Sequence, residues 1–178
     1  MDAAIRLKAL RFGFVVLLLS QAVPFILLYA TAYLFLEFYV SPTLNQWLGA
    51  LEALLLVLSL VYSWRGVRRI RQHGDLSGLV GSFRMAMVLG IASLAVTGYQ
   101  WSTRFVSAGS RFGEIYYMLT GVAGFYTLVG LFILLAISIR ALRIPLSRDN
   151  YWDAEAANYF WTFQALGALV AYALLYWR

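Results

Sequence analysis

Chemistry in this chain would have to come from the few polar side chains that fall inside long apolar runs. Placing an ionised group in hydrocarbon costs about 2.5–3.5 kcal/mol even on the milder insertion scale. Glu52 lies one to two turns into such a run, and Gln21, Gln100 and Gln164 lie in three others. Glu37 and Glu155 stand near run ends. Glu52 has two readings: a proton-relay or ion-site group, or a protonated or interface-snorkelling carboxyl bonded to a neighbouring helix. Each glutamine is expected to make an interhelical hydrogen bond. No catalytic set assembles around them. The chain has no cysteine, a single histidine (His73), no serine beside a usable histidine, and no closely spaced pair of intramembrane carboxylates. Disulfides, thiolate metal sites, iron–sulfur clusters, thioether-linked haem and bis-histidine haem are thereby excluded. Gly121-Val-Ala-Gly124 is flanked by apolar residues, so it reads as helix packing and not as a phosphate loop. Ser82-Ala86-Gly90 and Gly167-Ala171 repeat the small-xxx-small spacing. The expected packing positions are therefore Gly90, Gly121, Gly124 and Gly167.

The elements that must position these residues follow from composition. Of 178 residues, 62% are hydrophobic and 12% charged, against about 45–50% and 25% in soluble domains. That excess of apolar surface must face lipid. A hydrocarbon core of about 30 Å takes about 20 residues of helix, and five such runs occur, at about 12–38, 46–64, 85–101, 115–139 and 156–177. The first is over-long and contains Pro24, so a tilted or kinked span is expected. The expectation is an all-α polytopic membrane bundle of five helices forming one domain, with the first helix retained and not cleaved as a signal peptide.

Loop charge sets the orientation. Eleven of the fourteen basic residues fall on one side: Arg6, Lys8 and Arg11, the set from Arg65 to Arg84, and Arg140, Arg143 and Arg148. Arg104, Arg111 and Arg178 fall on the other. The N-terminus is thus expected inside and the C-terminus outside, with Arg65 to Arg84 in an inner loop that carries His73. The net charge of +6 is a topology signal and not a nucleic-acid surface. Asp149 or Asn150 is expected to cap the fifth helix, with Asp153 and Glu155 in its first turn. Trp47, Trp64, Trp101, Tyr116, Tyr117, Trp152, Trp161 and Trp177 are expected as interfacial anchors.

Four segments carry a resemblance. Residues 116–130, Tyr-Tyr-Met-Leu-Thr-Gly-Val-Ala-Gly-Phe-Tyr-Thr-Leu-Val-Gly, resemble the helix of cytochrome c oxidase subunit III that reads Phe-Tyr-x-Leu-Thr-Gly-Phe-His-Gly-x-His-Val-x-x-Gly. Residues 155–163, Glu-Ala-Ala-Asn-Tyr-Phe-Trp-Thr-Phe, resemble its Glu-Ala-Ala-x-x-Tyr-Trp-His-Phe. Leu19-Ser-Gln followed by an aromatic Ala-Thr-Ala-Tyr run, and Tyr99-Gln-Trp101, are similar to two further motifs in the same order. Where that family has glutamate the chain has Gln21 and Gln100. Family histidines are replaced by Ala123, Tyr126 and Thr162, and an aspartate by Ala165. Of these ionisable positions only Glu155 is kept.

The resemblance implies a non-catalytic accessory subunit of a respiratory complex, of a five-span form. Its partner would be the catalytic subunit of a haem–copper oxidase or nitric oxide reductase, holding all haem and copper, with phospholipid at the contact, in the bacterial inner membrane. It implies no cofactor in this chain. A free-standing carrier or lipid-binding protein is the alternative, and a pocket shared by Gln21, Gln100 and Gln164 would mark it.

Overall fold

The computed structural model describes residues 3–37, 39–144, 146–148 and 150–177. All described secondary structure is helical: α1 (Ala3–Leu36), α2 (Gln46–His73), α3 (Leu76–Thr103), α4 (Arg111–Arg143) and α5 (Trp152–Tyr176). All five are long and apolar enough to cross a membrane. Phe38, the expected end of the first run, lies outside the described residues, as do Pro145 and Asp149.

The helices overrun the expected spans most at the arginine-rich end. The stretch from Arg65 to Arg84 is no loop but a helical hairpin: α2 continues to His73, Gly74 and Asp75 make the turn, and α3 begins at Leu76. His73 is therefore the last residue of α2. Arginine is a good helix former, and packing continues past the hydrocarbon, with Gly66, Val67 and Ile70 buried on α2 and Leu79, Ser82 and Phe83 on α3. A helix of 28 residues is about 42 Å long at 1.5 Å per residue, so roughly a quarter of it stands beyond the bilayer core. Gly74 closes α2 with φ +68°, donating its N–H to the Ile70 carbonyl at 2.9 Å. Glycine reaches that left-handed conformation without strain.

Caps define the other ends. Asn45 accepts from the Trp47 and Leu48 N–H groups at 3.1 and 3.2 Å, Asp75 from Gly78 at 2.8 Å, and Ser110 from Gly113 at 3.0 Å. The α5 cap differs from expectation. Tyr151, not Asn150, takes the N-cap position and makes no side-chain cap bond, so Asp153 and Glu155 alone supply acid to the first turn.

Helices α2, α3, α4 and α5 form a square, α2 touching α3 and α5 while α4 touches the same two; α1 lies in the groove between α4 and α5. Pro24 sits inside α1, which stays helical across it. The α1 residues with reduced exposure are Leu7, Arg11, Phe14, Leu18, Gln21, Ala22, Phe25, Leu28, Tyr29, Thr31, Ala32 and Leu36, which follow one stripe at spacings of three and four with Ala22 and Thr31 at its edges. The rest of α1 faces outward.

Trp161 is the centre of the square. It is fully buried, not interfacial as a span-end tryptophan was expected to be. Its indole N–H donates to Ser59 Oγ on α2 at 3.0 Å, and Ser59 donates to the Ala86 carbonyl on α3 at 2.7 Å. A Cβ added at Gly90 on α3 would stand 2.8 Å from Trp161 Cη2, and one at Gly130 on α4 would stand 2.7 Å from its Cε3. Two glycine backbones thus admit one ring, and four helices meet at a single side chain.

Candidate functional site: polar contacts between the helices

At the end opposite the arginine-rich one, a polar cluster joins the four helices of the square. Glu52 lies six residues into α2, about 9 Å along its axis. Its Oε1 is 2.7 Å from Thr97 Oγ1 and its Oε2 accepts from Gln100 Nε2 at 3.2 Å. Gln100 Oε1 in turn accepts from Tyr176 on α5 at 2.5 Å and from Tyr116 on α4 at 3.3 Å. The two phenol oxygens are 3.5 Å apart. Tyr116 is therefore an interior residue, contrary to its expected place as an interfacial anchor. Nearby, Trp101 donates to Thr120 at 3.1 Å. The sequence singled out Glu52 and Gln100 but not their partners Thr97, Tyr116 and Tyr176, whose hydroxyls look ordinary in an apolar run.

The other amides are sealed separately. Gln21 on α1 accepts from Tyr126 of α4 at 2.9 Å. Gln164 on α5 accepts from Thr127 of α4 at 2.8 Å, and its Nε2 is buried with no partner among the described residues. The three glutamines line no common pocket, since Gln100 and Gln164 are 3% and 1% exposed and each is enclosed by helices of this chain. A carrier's shared binding pocket is thus not formed by these groups.

Glu155 acts at the arginine-rich end. Arg11 of α1 donates from Nε and Nη2 to Glu155 Oε2 at 3.0 and 2.9 Å, and Tyr159 donates to Oε1 at 3.1 Å. Arg11 also donates to the Tyr151 hydroxyl at 3.2 Å. Arg140 and Asp153 form a second ion pair at 3.0 Å, tying α4 to the start of α5. Between these ends, α2 and α5 exchange Ser63 to Asn158 at 2.8 Å and Trp64 to Thr162 at 2.9 Å.

Glycine contacts are unequal. At Gly167 an added Cβ would meet the Phe25 ring at 3.0 Å, whereas at Gly121 and Gly124 it would have ordinary room, with nearest atoms at 3.6 Å from Trp101 and Leu94. An added Cβ would stand 2.5 Å from Tyr176 at Gly49 and 2.9 Å from Ser82 at Gly66, so these join Gly90 and Gly130 among the tight interhelical glycines. Among the described residues no group of three or more His, Cys, Asp or Glu could hold a metal ion.

No family model matches the chain. Cytochrome c oxidase subunit 3 of Chondrus crispus is 27% identical over 191 residues, covering 96% of this chain and 67% of its own length. The subunit 3 of Synechocystis sp. is 28% identical over 175 residues, covering 93% of this chain and 74% of its own. The chain is similar to cytochrome c oxidase subunit III, from which it has diverged. With the subunit 3 of Drosophila yakuba it shares 32% identity over 92 residues, only 35% of that relative's length. This subunit III-like chain therefore spans between about a third and three quarters of the relatives it matches. The family substitutions fall into contact with one another: Gln21 and Tyr126, standing where glutamate and histidine occur in the motifs, are hydrogen-bonded partners. Likewise Gln100, in place of a glutamate, bonds the carboxyl of Glu52 across the α2–α3 contact.

Proposed function

We propose that the chain is a non-catalytic accessory membrane subunit of a respiratory complex, packing against and stabilising a haem–copper oxidase catalytic subunit or that of a related nitric oxide reductase. Colinear likeness to subunit 3 over 96% of the chain carries this reading. The internal polar groups support it, because Gln21–Tyr126 and Gln164–Thr127 are pairs of uncharged side chains that close helix contacts. Haem and copper belong to the partner, which would meet the outward faces of the bundle with phospholipid filling the remaining gaps. The membrane is the bacterial inner membrane.

Affinity purification from native membranes in mild detergent tests the proposal. The chain is expected to co-purify with a haem- and copper-containing subunit in fixed ratio, and to show no Soret band when isolated. Gln21→Leu, losing a hydrogen bond of about 0.6–1.7 kcal/mol, should leave turnover of the assembled complex nearly unchanged. Purification as a free homogeneous protein, or haem in the isolated chain, would overturn it.

A further inference from the structure

Glu52 is a half-buried carboxyl with no cation at ion-pair distance among the described residues. Neither ion pair among the described residues involves it. The groups facing it are Thr97 and Gln100 on α3, with Tyr116 of α4 and Tyr176 of α5 behind Gln100. The charged residues at the same end of the bundle, Glu37, Arg104, Arg111 and Glu114, are exposed and make no bond to it.

The hydrogen-bond arithmetic assigns each atom a role. Gln100 Oε1 faces two phenol donors, Tyr116 and Tyr176. That fixes the amide, so its Nε2 must face the carboxyl and Glu52 Oε2 is always an acceptor. Only Oε1 is open to a proton. Opposite Oε1 stands Thr97 Oγ1, which has one proton and two acceptors in reach: Glu52 Oε1 at 2.7 Å and the Ser93 carbonyl at 3.3 Å. When Glu52 is ionised, Thr97 donates to Oε1. When Oε1 carries a proton, the carboxyl donates to Thr97 Oγ1 and Thr97 turns its own proton to Ser93. Both states are satisfied by one hydroxyl rotation with no heavy atom displaced.

We propose that Glu52, Thr97 and Gln100 form a proton-binding site, taking up and releasing one proton at Glu52 Oε1 within about two turns of the end of the bundle opposite the arginine-rich one. The ligand is a proton from the adjacent aqueous phase. A carboxyl serving only as a helix staple would stay in one protonation state, so titration separates the two roles.

Infrared difference spectroscopy of the full chain in lipid nanodiscs, stepped through pH, reads the site directly. A carboxylic C=O band is expected to grow as pH falls, vanish reversibly as it rises, and be absent in Glu52→Gln. Thr97→Val removes the donor that the anion needs, and a bond to an ionised group is about twice as strong as a neutral one. Its midpoint should therefore move to higher pH, while Thr97→Ser, which keeps the hydroxyl, should titrate like the parent. These two variants keep the test open if Glu52→Gln does not fold, with selective carbon-13 labelling of glutamate identifying the band. The proposal is overturned by a spectrum without any Glu52-dependent change over the pH range in which the helices persist, or by an unchanged midpoint in Thr97→Val. Neither outcome bears on subunit assembly, so failure here is distinct from failure of the accessory-subunit reading.

Discussion

Gly90→Ala is the smallest change that should damage the centre of the bundle. The new methyl would lie 2.8 and 2.9 Å from Trp161 Cη2 and Cζ2, and near Leu131 Cδ2 at 3.3 Å, whereas carbon atoms pack best at about 3.5–4.0 Å. The ring must therefore move by at least about 0.7 Å to restore an ordinary contact. It is confined, since its other edge meets the Gly130 backbone and its N–H is held by Ser59 at 3.0 Å. Overpacking of this kind costs about 1–3 kcal/mol, and losing the indole bond adds about 0.6 kcal/mol on average in a membrane bundle. The better helix propensity of alanine returns up to about 1 kcal/mol, so the net loss should be about 1–3 kcal/mol. Unfolding in mixed micelles, followed by circular dichroism, measures it. Gly98→Ala is the control, because a Cβ there meets nothing within 4 Å, and it should match the parent or exceed it slightly. Trp161→Phe removes the edge that clashes, so in the double variant the two losses should fall short of their sum. Equal stability of Gly90→Ala and Gly98→Ala, or strict additivity of the pair, would refute a role for Trp161 as the shared contact of four helices.

Arg11→Ala should release the first turns of α1, which Arg11 holds to Glu155 and Tyr151; amide exchange should rise there and not around Phe25, where rings of Tyr126 and Phe163 hold the helix. At the hairpin, the Asp75 carboxyl is held below its ordinary value by the Gly78 N–H and then by the Ser77 hydroxyl. The cap it forms is therefore complete above the usual carboxylate range and is lost as pH falls through the lowered folded value. Exchange at the start of α3 should rise only at acid pH and become pH-independent over that range in Asp75→Asn. Reporter fusions should place the Gly74 turn inside and the end at Trp177 outside; the reverse result would defeat the charge argument for orientation.

Apolar run length and charge position were enough to read five helices from the sequence, because the bilayer sets how long an unbroken hydrophobic segment must be. Glu52 and the three glutamines stood out for the same reason, as polar groups in a medium that punishes them. What the sequence alone did not settle was which face of each helix turns inward. In a soluble helix polarity marks the outer face, but in α1 nearly every residue is apolar, and the stripe from Arg11 to Leu36 is set by what α4 and α5 offer it. Trp161 shows the same limit. A tryptophan near a span end fits the interface on composition, and only the glycines of two other helices, 71 and 31 positions away in sequence, make room for it inside. The polar cluster built on Glu52 likewise draws on three other helices. Threonine and tyrosine hydroxyls acquire their meaning only when packing brings them within 2.5–3.3 Å of the carboxyl or of the amide that bonds it, since hydrogen bonds are short-ranged and directional and hydrophobic patterning is neither.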